Sequence, residues 1–345
     1  MSIVGGFDVH RKQITFDYVD TVTGEVKCGQ IASADRRRLA RWLERFDGRD
    51  DVAFAVEACT GWRYVVEELQ RAGVAAHLAE PADTAAARGR KKHAKTDRAD
   101  SKLIRELLQG NRIPECWIPP QHVLEHRALL ELYHDLRREH TAWVQRVHAV
   151  LFHQGAERLG EGGLGTHAGR EQLRRIAAAQ LSPAGRVQIA TYLQVLEALE
   201  AQLDAVHRRL RDAARHLRGA QVLTERIYGV GPITALACTC WLAGAGRFHS
   251  TRKAVRFTGL DVTVYSSAGK RSPGHLSRQG PPVLRWCLYE AGKTHARGSA
   301  PDHAYYATVK QRIDGKRAAI SEARKIVRQA CHILAELGDD ALATV

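Results

Sequence analysis

Four acidic residues have the types and spacing that a metal-dependent nuclease needs. Asp8 and Glu57 each end an apolar run, whereas Asp97 and Asp100 lie three residues apart at the start of a helical segment. Carboxylates that converge must bind cations or stay protonated. In a chain of net charge +14, such an acidic pocket indicates Mg²⁺ (or Mn²⁺) held against a phosphate-rich substrate.

Each acid also has an ordinary alternative role. Asp97 and Asp100 would be favoured by the positive end of a helix dipole, and Asp8 could be a turn residue. Taken together, the four acids indicate a metal site more strongly than any one of them does. Asp8 and Glu57 end strands that are expected to be neighbours, and ligands gather at the carboxyl ends of such strands. Two cations about 3.5–4 Å apart would activate the attacking oxygen and stabilise the leaving one.

A second candidate site is a polar, glycine-containing loop in the last third of the chain. Ser267 could act there as a nucleophile on phosphorus, with Lys270 and Arg271 stabilising the developing charge. The alternative is a solvated turn. Tyr305 and Tyr306 are rival nucleophiles, but their segment has the pattern of an amphipathic helix, which favours a packing role.

Basic residues and glycines form the candidate nucleic-acid contacts. The segment between Glu80 and Lys95 has no apolar period and is predicted to be a mobile basic loop, with a solvated surface run as the alternative. Gly229 and Gly231 precede Pro232 as in a helix-hairpin-helix element, whose free N–H groups could hold a phosphate, or as in a plain turn. The predicted contacts are Arg88, Arg90, Lys91, Lys92, Lys95, Gly229, Gly231, Lys270, Arg271, Arg278 and Arg285.

The first hundred residues alternate strand and helix signals. Strands are predicted at 3–9, 14–19, 25–31, 52–56 and 74–78, and helices at 35–46, 62–72 and 97–109, with Thr96 capping the last. Three opening strands followed by β/α units resemble a ribonuclease H-like sheet.

The middle of the chain is predicted to be helical. Helices at 122–152 and 182–218 flank a glycine-rich interruption at 155–169, and their leucine spacing is heptad-like. This favours an antiparallel hairpin or coiled coil that could form a dimer interface, or an ordinary helical bundle. The resulting domains are 1–115, 116–218 and 219–345.

Composition narrows the class of protein. Lys and Arg number 52 against 38 Asp and Glu in 345 residues, a basic excess typical of nucleic-acid partners. A GC-rich genome would explain why arginine is more frequent than lysine, but it would explain the positive net charge less easily. Seven scattered cysteines without a C-x-x-C pair predict neither a disulfide framework nor a zinc site. No signal peptide or membrane span is recognisable, so a cytoplasmic protein without a membrane partner is expected.

Short motifs in order along the chain resemble one insertion-sequence transposase family, the one numbered one hundred and ten. Gly-Phe-Asp-Val-His at 6–10, Glu-Ala-Cys-Thr-Gly at 57–61 and Lys-Thr-Asp-Arg-Ala-Asp at 95–100 are similar to its DEDD motif. The later segments 229–232, 257–260, 265–267 and 280–285 resemble its C-terminal transposase domain.

The resemblance implies an α/β plus α architecture: a ribonuclease H-like (RuvC-like) N-terminal domain, a helical coiled-coil middle and a mainly helical C-terminal transposase domain. It implies that Asp8, Glu57, Asp97 and Asp100 are Mg²⁺ ligands and that Ser267 forms a phosphoserine link to DNA. The family usually has an acidic residue before the nucleophile, where this chain has Ser266.

The same resemblance implies the partners. Donor and target DNA would pair with a bridge RNA transcribed from the element, and the protein would assemble as a homo-oligomer, a dimer or tetramer. The predicted function is therefore excision and integration of an insertion sequence.

Three other functions compete with this one. A RuvC-like structure-specific endonuclease would use metal-activated water without a covalent intermediate. An actin-like ATPase or sugar kinase also opens with a strand and an Asp, but it needs a second phosphate-binding hairpin, often Asp-x-Gly-Gly, which the helical middle lacks. An inactive nucleic-acid-binding remnant is disfavoured because all five proposed catalytic positions carry competent residue types.

Overall fold

The computed structural model describes residues 1–88, 96–160, 163–244, 246–263, 265–267, 270–272 and 274–345, and at 265–267 and 270–272 it describes the backbone alone. The chain divides into two compact units, Met1–Pro119 and Pro120–Val345.

The first unit is built on a five-stranded mixed sheet with the order β3-β2-β1-β4-β5. Strand β1 pairs antiparallel with β2 and parallel with β4, while β2–β3 is antiparallel and β4–β5 is parallel. The strands are β1 Ile3–Val9, β2 Gln13–Asp20, β3 Val26–Ala32, β4 Val52–Glu57 and β5 Ala75–Ala79. The helices are α1 Arg36–Leu43, α2 Trp62–Arg71, α3 Pro81–Ala87 and α4 Asp97–Gln109.

Helices cover both faces of this sheet. Phe7 and Phe54 stack at 4.7 Å between ring centroids and pack with Trp42 of α1 and Leu69 of α2. Alternate residues of the same strands, among them Val4, Ala53 and Ala55, pack instead against Ile104 and Leu108 of α4. Because side chains alternate across a strand, β1 and β4 each contribute to two apolar clusters, and their wholly apolar runs reflect burial on both faces.

The strands, α2 and α4 agree with the sequence predictions to within one residue at each end. The helix predicted at 35–46 ends earlier, because α1 stops at Leu43 and Glu44–Phe46 forms a 3-10 turn. The predicted loop after Glu80 is partly wrong, because Pro81–Ala87 is a helix. Pro81 occupies its first turn, and the Glu80 side chain accepts a hydrogen bond from the N–H of Asp83 at 2.6 Å. This short alanine-rich helix buries only Thr84, so the sequence carries no apolar period there.

The second unit is mainly helical. Helices α5 and α7 pack antiparallel, since the contacts pair early residues of one with late residues of the other: Tyr133 with His207, His140 with Glu200 and Trp143 with Tyr192. The helices are α5 Gln121–His153, α6 His167–Gln180, α7 Pro183–Arg215, α8 Arg218–Arg226, α9 Pro232–Leu242, α10 Thr251–Phe257, α11 Pro282–Lys293, α12 His303–Arg312 and α13 Gly315–Leu337.

Two sequence predictions in this unit need correction. The predicted interruption at 155–169 gives way to helix α6 from His167, which is capped by Thr166 and buries Leu173 and Ile176. Gly169 in the first turn of α6 is buried against the carbonyl oxygen of Gly163. The glycine content of this segment was therefore a misleading signal for a loop.

The predicted serine loop is a β-hairpin. Strands β6 Tyr265–Ser267 and β7 Lys270–Ser272 pair antiparallel, with Ser267 opposite Lys270. The polar sequence of both strands lacks the apolar alternation that identifies strands, so the sequence predicted a loop here.

The α/β first unit and the helical second unit agree with the predicted fold class at this level. The division of residues 116–345 into two domains stays a prediction. Within the described ranges, none of the helices combines the length and apolar content needed to cross a bilayer.

Candidate active site

Asp8 and Glu57 lie at the ends of two adjacent parallel strands. Phe7 of β1 is in register with Val56 of β4, so the next residue of each strand is one of the two acids. Both belong to the alternating positions that face α4. The sheet therefore brings the two carboxylates to one face, at the carboxyl ends of neighbouring strands.

Helix α4 supplies the other two acids. Thr96 caps it, with its side-chain oxygen accepting the N–H of Ala99 at 3.2 Å, and this fixes where the first turn begins. Asp97 and Asp100 lie in that turn, one helical turn apart. The later turns of the helix pack on the sheet face that carries Asp8 and Glu57.

All four acids line one cavity of about 840 Å³. Asp8, His10 and Asp97 each offer a potential ligand atom within 4.8 Å of the others. His10 Nε2 lies 3.1 Å from Asp8 Oδ2 and 3.3 Å from Asp97 Oδ1, so one imidazole bridges the two carboxylates. Gln13 Nε2 donates to Asp97 Oδ2 at 3.2 Å.

The electrostatics of this cavity fit a cation. Burial raises the pKa of Asp8 even though His10 opposes the shift, and the negative charges of Asp100 and Asp97 raise it further. A carboxylate that is desolvated beside like charges is stabilised by a bound cation. Four carboxylates offer the hard oxygen ligands that Mg²⁺ and Mn²⁺ accept, so the residues present fit a divalent metal ion.

Arg88 makes an ion pair with a predicted metal ligand, and its contact with nucleic acid stays a prediction. Its Nη2 lies 2.6 Å from Asp100 Oδ1, and the Asp100 side chain is only 12% exposed. Arg88 follows the last residue of α3 and lines the same cavity. In this conformation the guanidinium partly neutralises the acidic cluster.

His10 and Gln13 are site residues that the sequence predictions missed. His10 follows Asp8 by two positions, and residues two apart on an extended chain lie on the same face. That spacing could have predicted that His10 lies beside Asp8. Gln13 opens β2, whose antiparallel pairing with β1 returns it to the same end of the sheet. Only the pairing of the strands reveals its proximity to Asp97.

Two family models match this chain. A DEDD-type transposase model matches residues 5–153, and the model of the transposase IS116/IS110/IS902 family matches residues 221–307. Together the two matches span more than half of the chain, in the order of the motifs recognised in the sequence. The chain belongs to the IS110 family of transposases. It is therefore an enzyme that cleaves and rejoins DNA.

Curated relatives agree with this assignment. A protein named as a family 20 transposase from Pseudomonas aeruginosa is 26% identical over 285 residues, which cover 78% of this chain and 81% of that protein. A protein named as transposase y4rJ from Sinorhizobium fredii is 26% identical over 288 residues, which cover 78% of this chain and 72% of that protein.

The first family model spans the acidic cavity, and the second spans the predicted serine and helix-hairpin-helix segments. Arg90, Lys91, Lys92 and Lys95 lie outside the described residues. The side chains of Ser266, Ser267, Lys270 and Arg271 do so as well, although their backbone forms the β6–β7 hairpin.

The Gly-Val-Gly segment of this transposase joins α8 to α9. Gly229 has a φ of +78°, and a Cβ there would lie 2.1 Å from Thr294 Oγ1. Gly231 is the N-cap of α9, with Pro232 in the first turn. A helix, a glycine turn and a second helix are thus present, while phosphate binding at this turn stays a prediction.

The predicted contacts Arg278 and Arg285 are near the hairpin in sequence. Arg278 is exposed, with a φ of +53°. Arg285 on α11 directs Nη1 to the carbonyl oxygen of Thr258 at 3.3 Å, and burial followed by the charge of Arg278 lowers its pKa. Arg285 therefore already stabilises the turn after α10 in this structure.

Proposed function

We propose that this transposase excises and integrates its own insertion sequence by Mg²⁺-dependent recombination with a serine nucleophile, guided by a bridge RNA. The single observation that carries the proposal is the convergence of Asp8, Glu57, Asp97 and Asp100 on one cavity, inside the region that the DEDD-type family model matches.

The four carboxylates would hold the metal ion. Bound there, Mg²⁺ (or Mn²⁺) would polarise a phosphoryl oxygen and stabilise charge on the attacking and leaving oxygens. The protein's own contribution is to position the carboxylates, because two of them lie at strand ends and two lie in the first turn of a capped helix. His10 bridges Asp8 and Asp97 in this structure and would release them to coordinate.

Ser267 would supply the nucleophile. Its hydroxyl oxygen would form a bond to phosphorus while a deoxyribose oxygen leaves with the cleaved strand. A DNA hydroxyl would then attack the phosphoserine and restore the free serine. Ser266 is the neighbouring alternative, and the predicted cations Lys270 and Arg271 would stabilise the phosphorane charge.

A RuvC-like fold for the first unit is supported by its topology. The sheet has three antiparallel strands, β3, β2 and β1, continued by the parallel strands β4 and β5. Its acids stand at the ends of β1 and β4 and at the start of α4, the arrangement expected for a ribonuclease H-like nuclease site.

Donor and target DNA and a guide RNA are the proposed partners. The net charge of +14 supports polyanion binding, whereas the guide RNA rests on the family resemblance. An oligomer is supported by large apolar side chains that are exposed on α5 and α7: Leu132 at 46%, Phe152 at 81% and Val187 at 66%. We propose a dimer or tetramer built on this helical pair.

The deciding experiment traps the covalent intermediate. Purified protein and its guide RNA are mixed with donor and target DNA, and protein–DNA adducts are resolved on denaturing gels. Ser267→Ala should abolish the adduct and strand exchange while keeping nucleic-acid binding. The matched variant Ser266→Ala should retain the adduct. Normal recombination by Ser267→Ala would remove this serine from the mechanism.

The acidic site is tested separately. Asp8→Ala and Asp100→Ala should lose the Mg²⁺-dependent activity, and Asp51→Ala, which changes a surface carboxylate paired with Arg49, should keep it. Full activity in EDTA would contradict the metal role.

A structure-specific endonuclease using metal-activated water is the second candidate, because the acidic cavity alone would suffice for it. Cleavage that requires Asp8 but yields no adduct, and is unaffected by Ser267→Ala, would favour that function.

A further inference from the structure

A second cluster of metal-ligating side chains lies in the second unit, on residues that the proposed function does not use. His295 is in a 3-10 turn directly after α11, Asp302 precedes α12, and Glu322 is on α13. Each offers one ligand atom within 4.8 Å of the others. Three separate elements therefore direct an imidazole nitrogen and two carboxylate oxygens to one point.

The imidazole in this cluster is buried and unpartnered. His295 is 4% exposed, and neither of its ring nitrogens has a hydrogen-bond partner. Its Nδ1 lies 3.8 Å from Glu322 Oε2, which is also buried without a hydrogen-bond partner. Buried polar groups of folded proteins nearly always have a hydrogen-bond partner, and an exception can mark the binding site of an ion. These atoms face each other at a separation that an ion between them would bridge.

Lys325 is the cation already beside the two carboxylates. Its Nζ lies 3.5 Å from Asp302 Oδ2 and 3.4 Å from Glu322 Oε1, and 3.5 Å from the centroid of the Tyr305 ring. The ammonium compensates part of the acidic charge, but it gives the imidazole of His295 no hydrogen bond. With its side chain 29% exposed, Lys325 can swing towards solvent when a stronger cation arrives.

We propose that His295, Asp302 and Glu322 form a Zn²⁺ site that ties the end of α11 and the start of α12 to α13. One nitrogen and two carboxylate oxygens are a donor set that Zn²⁺ takes, with water completing four-coordination. The imidazole favours Zn²⁺ over Mg²⁺, which prefers oxygen ligands throughout. Lys325 competes with the ion for the carboxylates.

The test measures Zn²⁺ binding to the full-length protein by equilibrium dialysis in excess Mg²⁺. All proteins carry Asp8→Asn, so that the acidic cavity of the first unit contributes little. The parent should bind one Zn²⁺. Glu322→Gln and His295→Gln should each weaken that binding by about tenfold or more, the scale on which metal sites respond to loss of a supporting group. Circular dichroism establishes that each variant is folded.

Lys325→Met provides the opposite prediction. Removing the competing ammonium should tighten Zn²⁺ binding, whereas Lys293→Met, which breaks an exposed pair with Glu290, should leave it unchanged. Thermal unfolding should follow binding, since an ion that binds only the folded state raises its stability. Equal Zn²⁺ binding by parent and Glu322→Gln, or no tightening in Lys325→Met, would overturn the proposal and leave Lys325 as the cluster's resident cation.

Discussion

Replacing Gly6 by alanine should push α4 away from β1 and so separate Asp97 and Asp100 from Asp8. A Cβ at Gly6 would lie 2.4 Å from the carbonyl oxygen of Ser101 and 2.6 Å from the backbone nitrogen of Arg105. Both obstacles are backbone atoms, so no side-chain rotation relieves them. Ordinary contact begins near 3.4 Å, and the helix must therefore shift by roughly 1 Å.

This shift of α4 determines how much stability and how much catalytic rate the Gly6→Ala protein should lose. Overpacking of this kind typically costs about 1–3 kcal/mol of the free energy of unfolding. A misplacement of about 1 Å in a catalytic constellation can lower the rate about 100-fold. The first effect follows from packing alone, whereas the second requires that the relative position of the acids on β1 and α4 matters for chemistry.

The assay compares Gly6→Ala with Gly165→Ala, a glycine in a 3-10 turn where a Cβ would meet no atom within 4 Å. Thermal unfolding and hydrogen exchange of the β1 and α4 amides report the packing, and metal-dependent DNA cleavage reports the site. Gly6→Ala should lose stability and cleavage, while Gly165→Ala should change both little. A Gly6→Ala protein that is destabilised yet cleaves DNA at the parent rate would refute the proposed metal site.

Other predictions concern the frame of the site and its substrate. Asp17→Ala leaves the buried guanidinium of Arg105 without its main partner and should lower the free energy of unfolding by about 3 kcal/mol. The control Asp51→Ala removes an exposed ion pair and should change that free energy far less. Equal effects of the two variants in urea unfolding would contradict the reasoning about the buried pair. Thr96→Ala removes the α4 cap and should cost about 1 kcal/mol, with increased exchange of the first-turn amides as the readout. DNA affinity should fall with salt with a log–log slope near −0.9 per neutralised phosphate on duplex DNA; a slope near zero in filter binding would exclude phosphate contacts as the main source of affinity.

The sequence predicted the first unit well because its signals are local. Short, wholly apolar runs such as Val52–Val56 are typical of buried strands, and Thr96 before Asp97 is a capping signal that needs no tertiary context. The acids Asp8 and Glu57 were recognisable because each ends such a run. Where the signal was weak, as in the short helix Pro81–Ala87, the sequence predicted a loop.

The convergence of these acids was decided by tertiary structure. Asp8 and Asp97 are far apart in the chain, and only the pairing of β1 with β4 and the packing of α4 at Gly6 bring them to one cavity. Arg88 likewise pairs with Asp100 only in the folded chain, and the charge pattern of the sequence did not indicate that ion pair.

In the second unit the sequence determined the long helices but not the polar cluster at His295, Asp302 and Glu322. Nothing local marks those three residues, because each belongs to a different element and their spacing fits no ligand motif. A ligand set assembled from distant segments exists only when the helices pack, since the free energy that holds buried polar groups together comes from the apolar surface buried around them.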